Sequence, residues 1–306
     1  MNGLPSRVRI VEVGPRDGLQ NEPRPVPTAE KLRFIAALAA SGLTEIEVTS
    51  FVHPDAVPQL ADADELVRGL PAGPDVRYSA LVPNMKGLER AMAAGIQRIA
   101  VFTGASETFT RRNINMSIEE SFAVFAPLIE AALAHGMSVR GYLSTCFVCP
   151  YEGEIDRTVV RRLTERLLEL GVDEVGISDT IGAAAPNDVD LTVGHLLETV
   201  PVERVALHLH DTYGTALANV HAGLRLGVAT FDASAGGLGG CPYAPGAAGN
   251  LATEDLVYFL DRLGIQSGVE LMGTFAASRL IAGLVGRALP SKQHQRLAAA
   301  CAQRGE

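Results

Sequence analysis

The sequence repeats one pattern, in which an Ala- and Leu-rich stretch ends in a glycine and a short run of β-branched residues follows. Five copies begin at Ala36, Ala91, Ala131, Leu167 and Gly223. A glycine at the end of a helix can adopt the left-handed conformation that closes the last turn. A strand that is apolar on both faces is typical of a parallel sheet covered by helices. The pattern therefore predicts helices and parallel strands in alternation.

Eight strands are predicted in all, with helical patterns between them. Eight such units close as a (β/α)8 barrel of the TIM type. An open, doubly wound sheet is the alternative architecture, but no GxGxxG opens the first βα turn to support it. The predicted strands cover residues 8–13, 45–49, 76–81, 98–102, 138–143, 174–178, 205–210 and 230–233.

One domain is expected over residues 1–306, because no Pro- or Ser-rich linker divides the chain. Helices are predicted over residues 254–263 and 271–285, and C-terminal helices from about residue 264 should pack on the barrel. Ser117 and Glu120 have the spacing of a capping box at a helix start. Thr28 and Thr253 are predicted as further N-caps.

Composition argues against several classes of protein. The net charge of -9 is unlike that of a general nucleic-acid-binding protein, which needs a basic patch. No apolar run reaches the ~18 residues that span a bilayer. Four cysteines are too few for a disulfide scaffold in a chain of 306 residues, and the first residues show no export or organelle signal. A cytoplasmic protein without membrane partners is therefore expected.

Polar side chains should meet at the barrel mouth, where the carboxyl ends of the strands lie. Strand seven ends in His208 and His210, which share one face. Two histidines so placed favour a metal site over two histidines that are satisfied within the core. Strand one ends in Arg16 and Asp17, which offer a cation for an oxyanion and a hard oxygen ligand. An ordinary ion pair remains the alternative for these two.

Three more polar residues lie at predicted strand ends or just before a helix. Glu47 is a carboxylate inside an apolar strand, so it needs a nearby cation and is predicted to face the mouth near Arg16. Asp179 lies at the tip of strand six, and Asn250 precedes a predicted helix. The amide oxygen of Asn250 is a further possible metal ligand.

A glycine-rich loop over residues 236–240 follows strand eight and leads to Cys241. Such a loop can close over a ligand, and the thiol is placed to act as an acid or a nucleophile. A flexible loop with an idle thiol is an equally open interpretation. Cys146 and Cys149 form a lone CxxC, which is weak evidence for zinc or redox chemistry.

Basic residues follow strands three and four. Lys86, Arg111 and Arg112 would suit a ligand that carries phosphate. Solvated surface charges are the alternative interpretation for each of them.

Six segments together resemble the 3-hydroxy-3-methylglutaryl-CoA lyases, a family of TIM-barrel metallolyases. The resemblance covers residues 7–285. The glycine-loop segment is specific for the lyase branch, whereas HxHDT and RDG are shared with Claisen-type synthases and aldolases. The segments are VGPRDGLQNE from Val13, IEVTSF from Ile46, FTRRNIN from Phe109, CPYEG from Cys149, HLHDTYG from His208 and GGLGGCPYAPGAAGNLATEDLVY from Gly236.

The resemblance implies a retro-Claisen cleavage of the acyl-CoA to acetoacetate and acetyl-CoA, as in leucine degradation. It implies a homodimer that acts on this small molecule, with no nucleic-acid or membrane partner. A divalent cation, Mg²⁺ or Mn²⁺, would be held by Asp17, His208, His210 and Asn250. The implied catalytic residues are Arg16, Glu47, Asp179 and Cys241. The implied substrate-binding residues are Arg16, Gln20, Arg111 and Arg112.

Three alternatives remain open at this point. One is the same cleavage of a longer 3-hydroxy-3-alkylglutaryl-CoA. A second is a Claisen synthase or aldolase on the same barrel, against which the Cys241 loop argues. The third is a catalytically silent barrel that binds acyl-CoA.

Overall fold

The computed structural model describes residues 3–71, 75–240 and 249–304. Eight parallel strands close into a barrel in the order β1, β2, β3, β4, β5, β8, β9, β10, and β10 pairs with β1. This architecture confirms the predicted TIM barrel. The barrel strands are β1 (Arg9–Glu12), β2 (Glu45–Ser50), β3 (Arg77–Leu81), β4 (Arg98–Gly104), β5 (Ser138–Ser144), β8 (Glu174–Asp179), β9 (Val205–Leu209) and β10 (Thr230–Ala233).

The observed strands agree with the predicted ones to within two residues at each end. A hairpin of two short strands, β6 (Val148–Cys149) and β7 (Gly153–Glu154), was not predicted. Each of these strands has only two residues, so neither shows an apolar period in the sequence. Gly153 has a positive φ of 77° at the end of the hairpin turn.

Eleven helices occur in the described part of the chain, and most of them lie between barrel strands. The glycine at the end of each repeat has a positive φ, for example 97° at Gly95 and 98° at Gly171, as the pattern predicts. The helices are α1 (Thr28–Ala40), α2 (Ala63–Arg68), α3 (Met85–Ala94), α4 (Glu107–Ile114), α5 (Ile118–Ala134), α6 (Arg157–Glu169), α7 (Pro186–Leu196), α8 (Ala216–Arg225), α9 (Thr253–Leu263), α10 (Leu271–Val285) and α11 (Lys292–Arg304).

The predicted helix caps have different outcomes. Ser117 caps α5, and a complete capping box with Glu120 confirms that prediction. Thr28 and Thr253 are instead the first helical residues of α1 and α9, so both cap predictions were wrong. The Thr28 hydroxyl donates to Asp62, and the Thr253 hydroxyl donates to Glu12. Both hydroxyls are used by distant partners rather than by the helix ends.

The last helices lie against the rest of the chain through close backbone contacts. The backbone N–H of Glu270, just before α10, donates to the Ser41 carbonyl at 2.8 Å. A Cβ on Gly42 would lie 2.2 Å from the Gly268 carbonyl oxygen, so glycine permits this approach. Helix α11 is linked to α10 by a 2.7 Å hydrogen bond between His294 and Ser278. Among the described helices, none combines the length and the apolar character that a membrane crossing requires.

The apolar core lies between the sheet and the helices, while the barrel interior holds buried charges. At the amino ends of the strands, Arg9 binds Glu45 at 2.8 Å and makes a shorter contact with Glu174. Arg140 binds Glu174 at 2.9 Å from the opposite side. We call Arg9, Glu45, Arg140 and Glu174 the floor cluster. Paired charges of this kind can be buried because each ion has an opposite partner.

Candidate metal centre and active site

The turn after β1 presents Arg16 and Asp17 at the barrel mouth. Residues Gly14–Gly18 form a π-helical turn, in which the backbone N–H of Gly18 reaches the Val13 carbonyl at 3.2 Å. Turns of this type are rare and occur often at functional sites. A Cβ on Gly18 would lie 2.8 Å from Leu238, so only glycine lets the turn pack against the segment after β10.

Strand β9 and the residue that follows it bring two imidazoles to the same place. The Nε2 atoms of His208 and His210 are 3.3 Å apart, and His208 Nε2 lies 3.9 Å from Asp17 Oδ2. One ligand atom from each of these residues lies within 4.8 Å of the other two. We call Asp17, His208 and His210 the metal triad. The structure thus brings together three residues that the sequence singled out as metal ligands.

The electrostatics of the metal triad suit a cation. Burial opposes the charge on Asp17, but Arg16 and the two histidines outweigh it and lower the pKa of Asp17 to about 2. Burial, with a smaller effect of His208, lowers the pKa of His210 to about 4. A carboxylate and a neutral imidazole are the forms that bind metals. The donor set therefore fits a divalent cation.

Asn250 and Gln20 both contact the carboxylate of Asp17. The Asn250 amide nitrogen donates to Asp17 Oδ2 at 2.8 Å and to the Leu238 carbonyl at 3.1 Å. Gln20 donates to the other carboxylate oxygen at 2.8 Å. A backbone bridge between His210 and Asn250 fixes Asn250 beside the metal triad. Its amide oxygen is the atom that would serve as a ligand.

Arg16 is buried beside two carboxylates. Its Nε makes a short hydrogen bond to Glu47, and its Nη1 lies 2.6 Å from Asp17. The Tyr142 hydroxyl donates to the second oxygen of Glu47 at 3.1 Å. Burial opposes the charge on Arg16, but Glu47 and Asp17 outweigh it and raise its pKa. Glu47 therefore has the cation that a carboxylate in an apolar strand requires.

Sequence reasoning missed Asp232 and Arg140, which lie below the metal triad. Asp232 Oδ2 is 3.1 Å from His208 Nδ1, and Asp232 Oδ1 is 2.7 Å from Arg140. Burial would raise the pKa of Asp232, but Arg140 and His208 lower it. Asp232 is a carboxylate inside a buried strand, as Glu47 is, so the criterion that singled out Glu47 applies to it as well.

Asp179 ends β8, and its carboxylate binds the loop that follows. It accepts hydrogen bonds from the backbone N–H groups of Ala183 at 3.0 Å and Ala184 at 3.1 Å. Burial raises its pKa to about 6, although these hydrogen bonds lower it in part. The contacts described for Asp179 thus shape the loop after β8.

The predicted basic residues lie on α3 and α4. Arg111 forms a 2.9 Å ion pair with Glu107, and its side chain is 59% exposed. The Arg112 guanidinium lies 4.2 Å from the centre of the Tyr151 ring in the β6–β7 turn. Lys86 is exposed in the first turn of α3. The exposed Arg112 side chain therefore contacts the hairpin that the sequence did not predict.

The glycine-rich loop is fixed at its base by two buried carboxyl groups that sequence reasoning also missed. Glu12 accepts a hydrogen bond from the backbone N–H of Ala235 at 2.9 Å, and Glu254 accepts one from that of Gly236 at 2.7 Å. Burial raises the pKa of each to about 7. Gly239 and Gly249 touch, because a Cβ on Gly249 would lie 2.5 Å from the Gly239 carbonyl carbon.

Two predictions about cysteines have separate outcomes. Cys241 lies outside the described residues, so its role stays a prediction. Cys146 and Cys149 are buried free thiols that bind different partners. The Cys146 thiol donates to the Leu143 carbonyl, and that of Cys149 donates to Ser106.

Comparison with known proteins gives concordant results. Residues 7–281 match the protein family described as HMGL-like. The mitochondrial hydroxymethylglutaryl-CoA lyase of Rattus norvegicus is 49% identical over 96% of this chain and 91% of the rat protein.

Solved structures are similar over nearly the whole fold. The crystal structure of hydroxymethylglutaryl-CoA lyase from Pseudomonas aeruginosa has a TM-score of 0.96 and 46% identity, over 97% of this chain and 99% of that one. An HMG-CoA lyase from Acinetobacter baumannii, in complex with coenzyme A and 3-methylmalate, has a TM-score of 0.91 and 39% identity, over 96% of each chain.

Proposed function

Because the chain belongs to the HMGL-like family, we propose that it cleaves 3-hydroxy-3-methylglutaryl-CoA to acetoacetate and acetyl-CoA. The observation that carries this proposal is the convergence of Asp17, His208 and His210 within 4.8 Å at the mouth of the barrel. Arg16 lies directly beside them, 2.6 Å from Asp17. The reaction breaks a carbon–carbon bond and must stabilise negative charge on two oxygens, which a cation site beside an arginine suits.

Asp17, His208 and His210 would hold the divalent cation, and Asn250 would add its amide oxygen. A cation bound there supplies a Lewis acid for the substrate oxygens and orients them. Magnesium or manganese is proposed because carboxylate and amide oxygens suit these hard ions. The two Nε2 atoms lie 3.3 Å apart, so both imidazoles could serve as ligands of one cation.

Arg16 is proposed to stabilise the enolate oxygen that forms when the C2–C3 bond breaks. Its Nε and Nη1 bind Glu47 and Asp17, and Nη2 is proposed as the donor to the substrate. Glu47 and Tyr142 hold the guanidinium in place. A positioned donor of this kind acts on the charge that develops in the transition state.

Two proton transfers complete the proposed reaction. The C3 hydroxyl must lose its proton, and Asp179 is proposed to lie near this hydroxyl. A pKa of about 6 suits a carboxylate that accepts a proton near neutral pH. The bonding electron pair then forms the enolate of acetyl-CoA, and Cys241 is proposed to donate a proton to its carbon.

The remaining substrate contacts are proposed for Gln20, Arg111 and Arg112. The coenzyme A in the Acinetobacter baumannii structure supports an acyl-CoA ligand for this fold. Arg111 and Arg112 carry the positive charge that phosphate groups bind. Gln20 donates a hydrogen bond to Asp17, which supports a place for it beside the substrate.

A homodimer in the cytoplasm is proposed for the state in which the protein acts. The three described cysteines are free thiols, which supports a reducing compartment. Light scattering of the purified protein tests the dimer: a molar mass twice that of the 32.3 kDa chain supports it, and the mass of one chain contradicts it.

The direct test of the function is an assay for acetoacetate after incubation with the acyl-CoA and Mg²⁺. Product should form with the metal, disappear with a chelator and return when Mn²⁺ is added. A longer 3-hydroxy-3-alkylglutaryl-CoA, assayed in parallel, measures the chain-length preference. Metal-replete protein that releases no acetoacetate would contradict the proposal.

Cys241→Ser tests the proposed thiol. Turnover should fall at least ~10²-fold, in the range expected when a group for general acid catalysis is lost. Bound Mn²⁺ should stay the same, because the thiol is not among the proposed ligands. Loss of metal in this variant would instead indicate that Cys241 is a ligand or a structural residue.

A further inference from the structure

The geometry points to Asp232 as a positioning residue that fixes the tautomer of His208, so that the lone pair of Nε2 faces Asp17 and His210. This inference rests on the proposed metal centre. The Asp232 carboxylate lies 3.1 Å from His208 Nδ1. Both residues are buried, with Asp232 only 1% exposed. Water therefore competes little for this hydrogen bond.

The consequence follows from the chemistry of imidazole. A neutral ring carries one proton, and the nitrogen that holds it cannot bind a metal. An ionised carboxylate only accepts hydrogen bonds, so it places the proton on Nδ1. Nε2 then keeps its lone pair. Partners of this kind orient metal-binding histidines, and losing one weakens metal affinity ~10- to 100-fold.

Arg140 holds Asp232 in position. Its guanidinium lies 2.7 Å from Asp232 Oδ1, while Oδ2 faces His208. Nε of Arg140 lies 2.9 Å from Glu174, and Nη1 donates to the Tyr142 hydroxyl at 2.8 Å. Nη1 and Nη2 both donate hydrogen bonds, and Nε lies at ion-pair distance from Glu174, so the guanidinium has little freedom to turn. The carboxylate therefore keeps one oxygen aimed at the imidazole.

His210 provides an internal contrast. Its Nδ1 is buried and has no hydrogen-bond partner among the described residues. No carboxylate thus fixes its tautomer, although its Nε2 faces that of His208. The two proposed histidine ligands differ in this respect, because only the tautomer of His208 is fixed by a neighbouring carboxylate.

Asp232→Asn should reverse the tautomer of His208 with little change of shape. Arg140 can only donate, so the amide oxygen must face it. The amide NH₂ then faces His208 Nδ1, which must accept, and the proton moves to Nε2. The same substitution in a Ser-His-Asp triad leaves the geometry intact and places the imidazole in the wrong tautomer.

Asp173→Asn is the matched control. Asp173 binds the buried Arg98 at 2.6 Å, so this variant also loses a carboxylate from an arginine pair. It contacts neither histidine of the metal triad. The Asp173 side chain is 41% exposed and that of Asp232 is 1% exposed, so Asp173→Asn controls for the loss of a carboxylate beside a buried arginine and not for burial. Only Asp232→Asn should change the state of His208.

The experiment combines Mn²⁺ binding, followed by electron paramagnetic resonance, with long-range ¹H–¹⁵N spectra of the metal-free protein labelled with ¹⁵N-histidine. His208→Gln assigns the His208 signals. We expect His208 to be protonated at Nδ1 in the wild type and at Nε2 in Asp232→Asn. The Kd for Mn²⁺ should rise ~10- to 100-fold in Asp232→Asn and stay within about twofold in Asp173→Asn.

The outcomes separate this inference from the proposed function. Wild-type His208 protonated at Nε2, or Asp232→Asn that binds Mn²⁺ as tightly as the wild type, overturns the role of Asp232 alone. Wild-type protein that binds no Mn²⁺ overturns the metal centre and this inference with it. If Asp232→Asn does not fold, the tautomer of the wild type decides the question.

Discussion

The two ends of the barrel interior bury charges in different ways. In the floor cluster, Arg9 and Arg140 flank Glu174, so positive and negative groups alternate. At the mouth, His208 and His210 direct two ring nitrogens at each other across 3.3 Å, with the Asp17 carboxylate alongside. In the floor cluster, each charged group has an oppositely charged side chain beside it. At the mouth, possible ligand atoms of the metal triad face a common point.

This difference separates stability from function within one barrel. Buried ion pairs with good geometry are costly to break, because the remaining ion is left without a partner. At the mouth, two imidazole nitrogens and a carboxylate oxygen lie close together, and a cation that binds them stabilises the folded state. We therefore expect substitutions at the floor to lower the free energy of unfolding and substitutions at the mouth to lower kcat. The following three predictions test that division, from the largest expected effect to the smallest.

Arg16→Gln should have the largest effect, a fall in kcat of ~10²-fold or more, because the enolate oxygen loses its donor. Affinity for Mn²⁺ should change far less than kcat, because Arg16 is not among the proposed ligands. Steady-state kinetics and metal titration measure the two quantities. Unchanged turnover would refute the role of Arg16. It would also remove the expected difference between substitutions at the mouth and at the floor.

Glu174→Gln should show the opposite behaviour. Arg9 and Arg140 lose a shared carboxylate, so the free energy of unfolding should fall by about 3 kcal/mol, as when one partner of a buried pair is removed. Urea denaturation measures this change, and kcat of the folded variant should fall far less than that of Arg16→Gln, because Arg140 keeps its contacts with Asp232 and Tyr142. A fall in kcat as large as that of Arg16→Gln would show that the floor and the mouth act as one unit.

Glu12→Gln should have the smallest effect and depends on pH. The pKa of Glu12 is raised by burial from 4.5 to about 7, so between these values the folded state binds a proton that the unfolded state has lost. Stability is therefore lost as the pH rises through this window. Between pH 5 and pH 8, the free energy of unfolding should fall by ~1–3 kcal/mol less in the variant than in the wild type.

Urea denaturation at both pH values checks this prediction. The same dependence in both proteins would contradict it. Unlike the carboxylates of the floor cluster, Glu12 accepts its hydrogen bonds from neutral groups, namely two backbone N–H groups and the Thr253 hydroxyl. The prediction thus extends the comparison to a carboxyl group that no cation neutralises.

The sequence predicted those features of the fold that depend on neighbouring residues. Glycines after helices and β-branched runs are local signals, so the eight barrel strands were found to within two residues. His208 and His210 could be placed on one face because side chains alternate along a strand. The metal triad then follows from the rule that strand ends meet at the mouth of a barrel.

The remaining features depend on contacts between distant parts of the chain. Thr28 and Thr253 have the residue type of an N-cap, but Asp62 and Glu12 take their hydroxyl groups. Arg140 is one of many charged residues in the sequence. Only the closed barrel shows that its side chain lies between Asp232 and Glu174.

The contact between Gly239 and Gly249 has a consequence for engineering. Two chain positions that already touch can be joined by segments of different lengths at small entropic cost, since loop closure depends only weakly on length. Residues 242–248 could therefore be shortened or exchanged with those of related enzymes while Cys241 and the barrel strands keep their places. Such variants would leave the proposed cation ligands in the sequence untouched, because Asp17, His208, His210 and Asn250 all lie outside that segment.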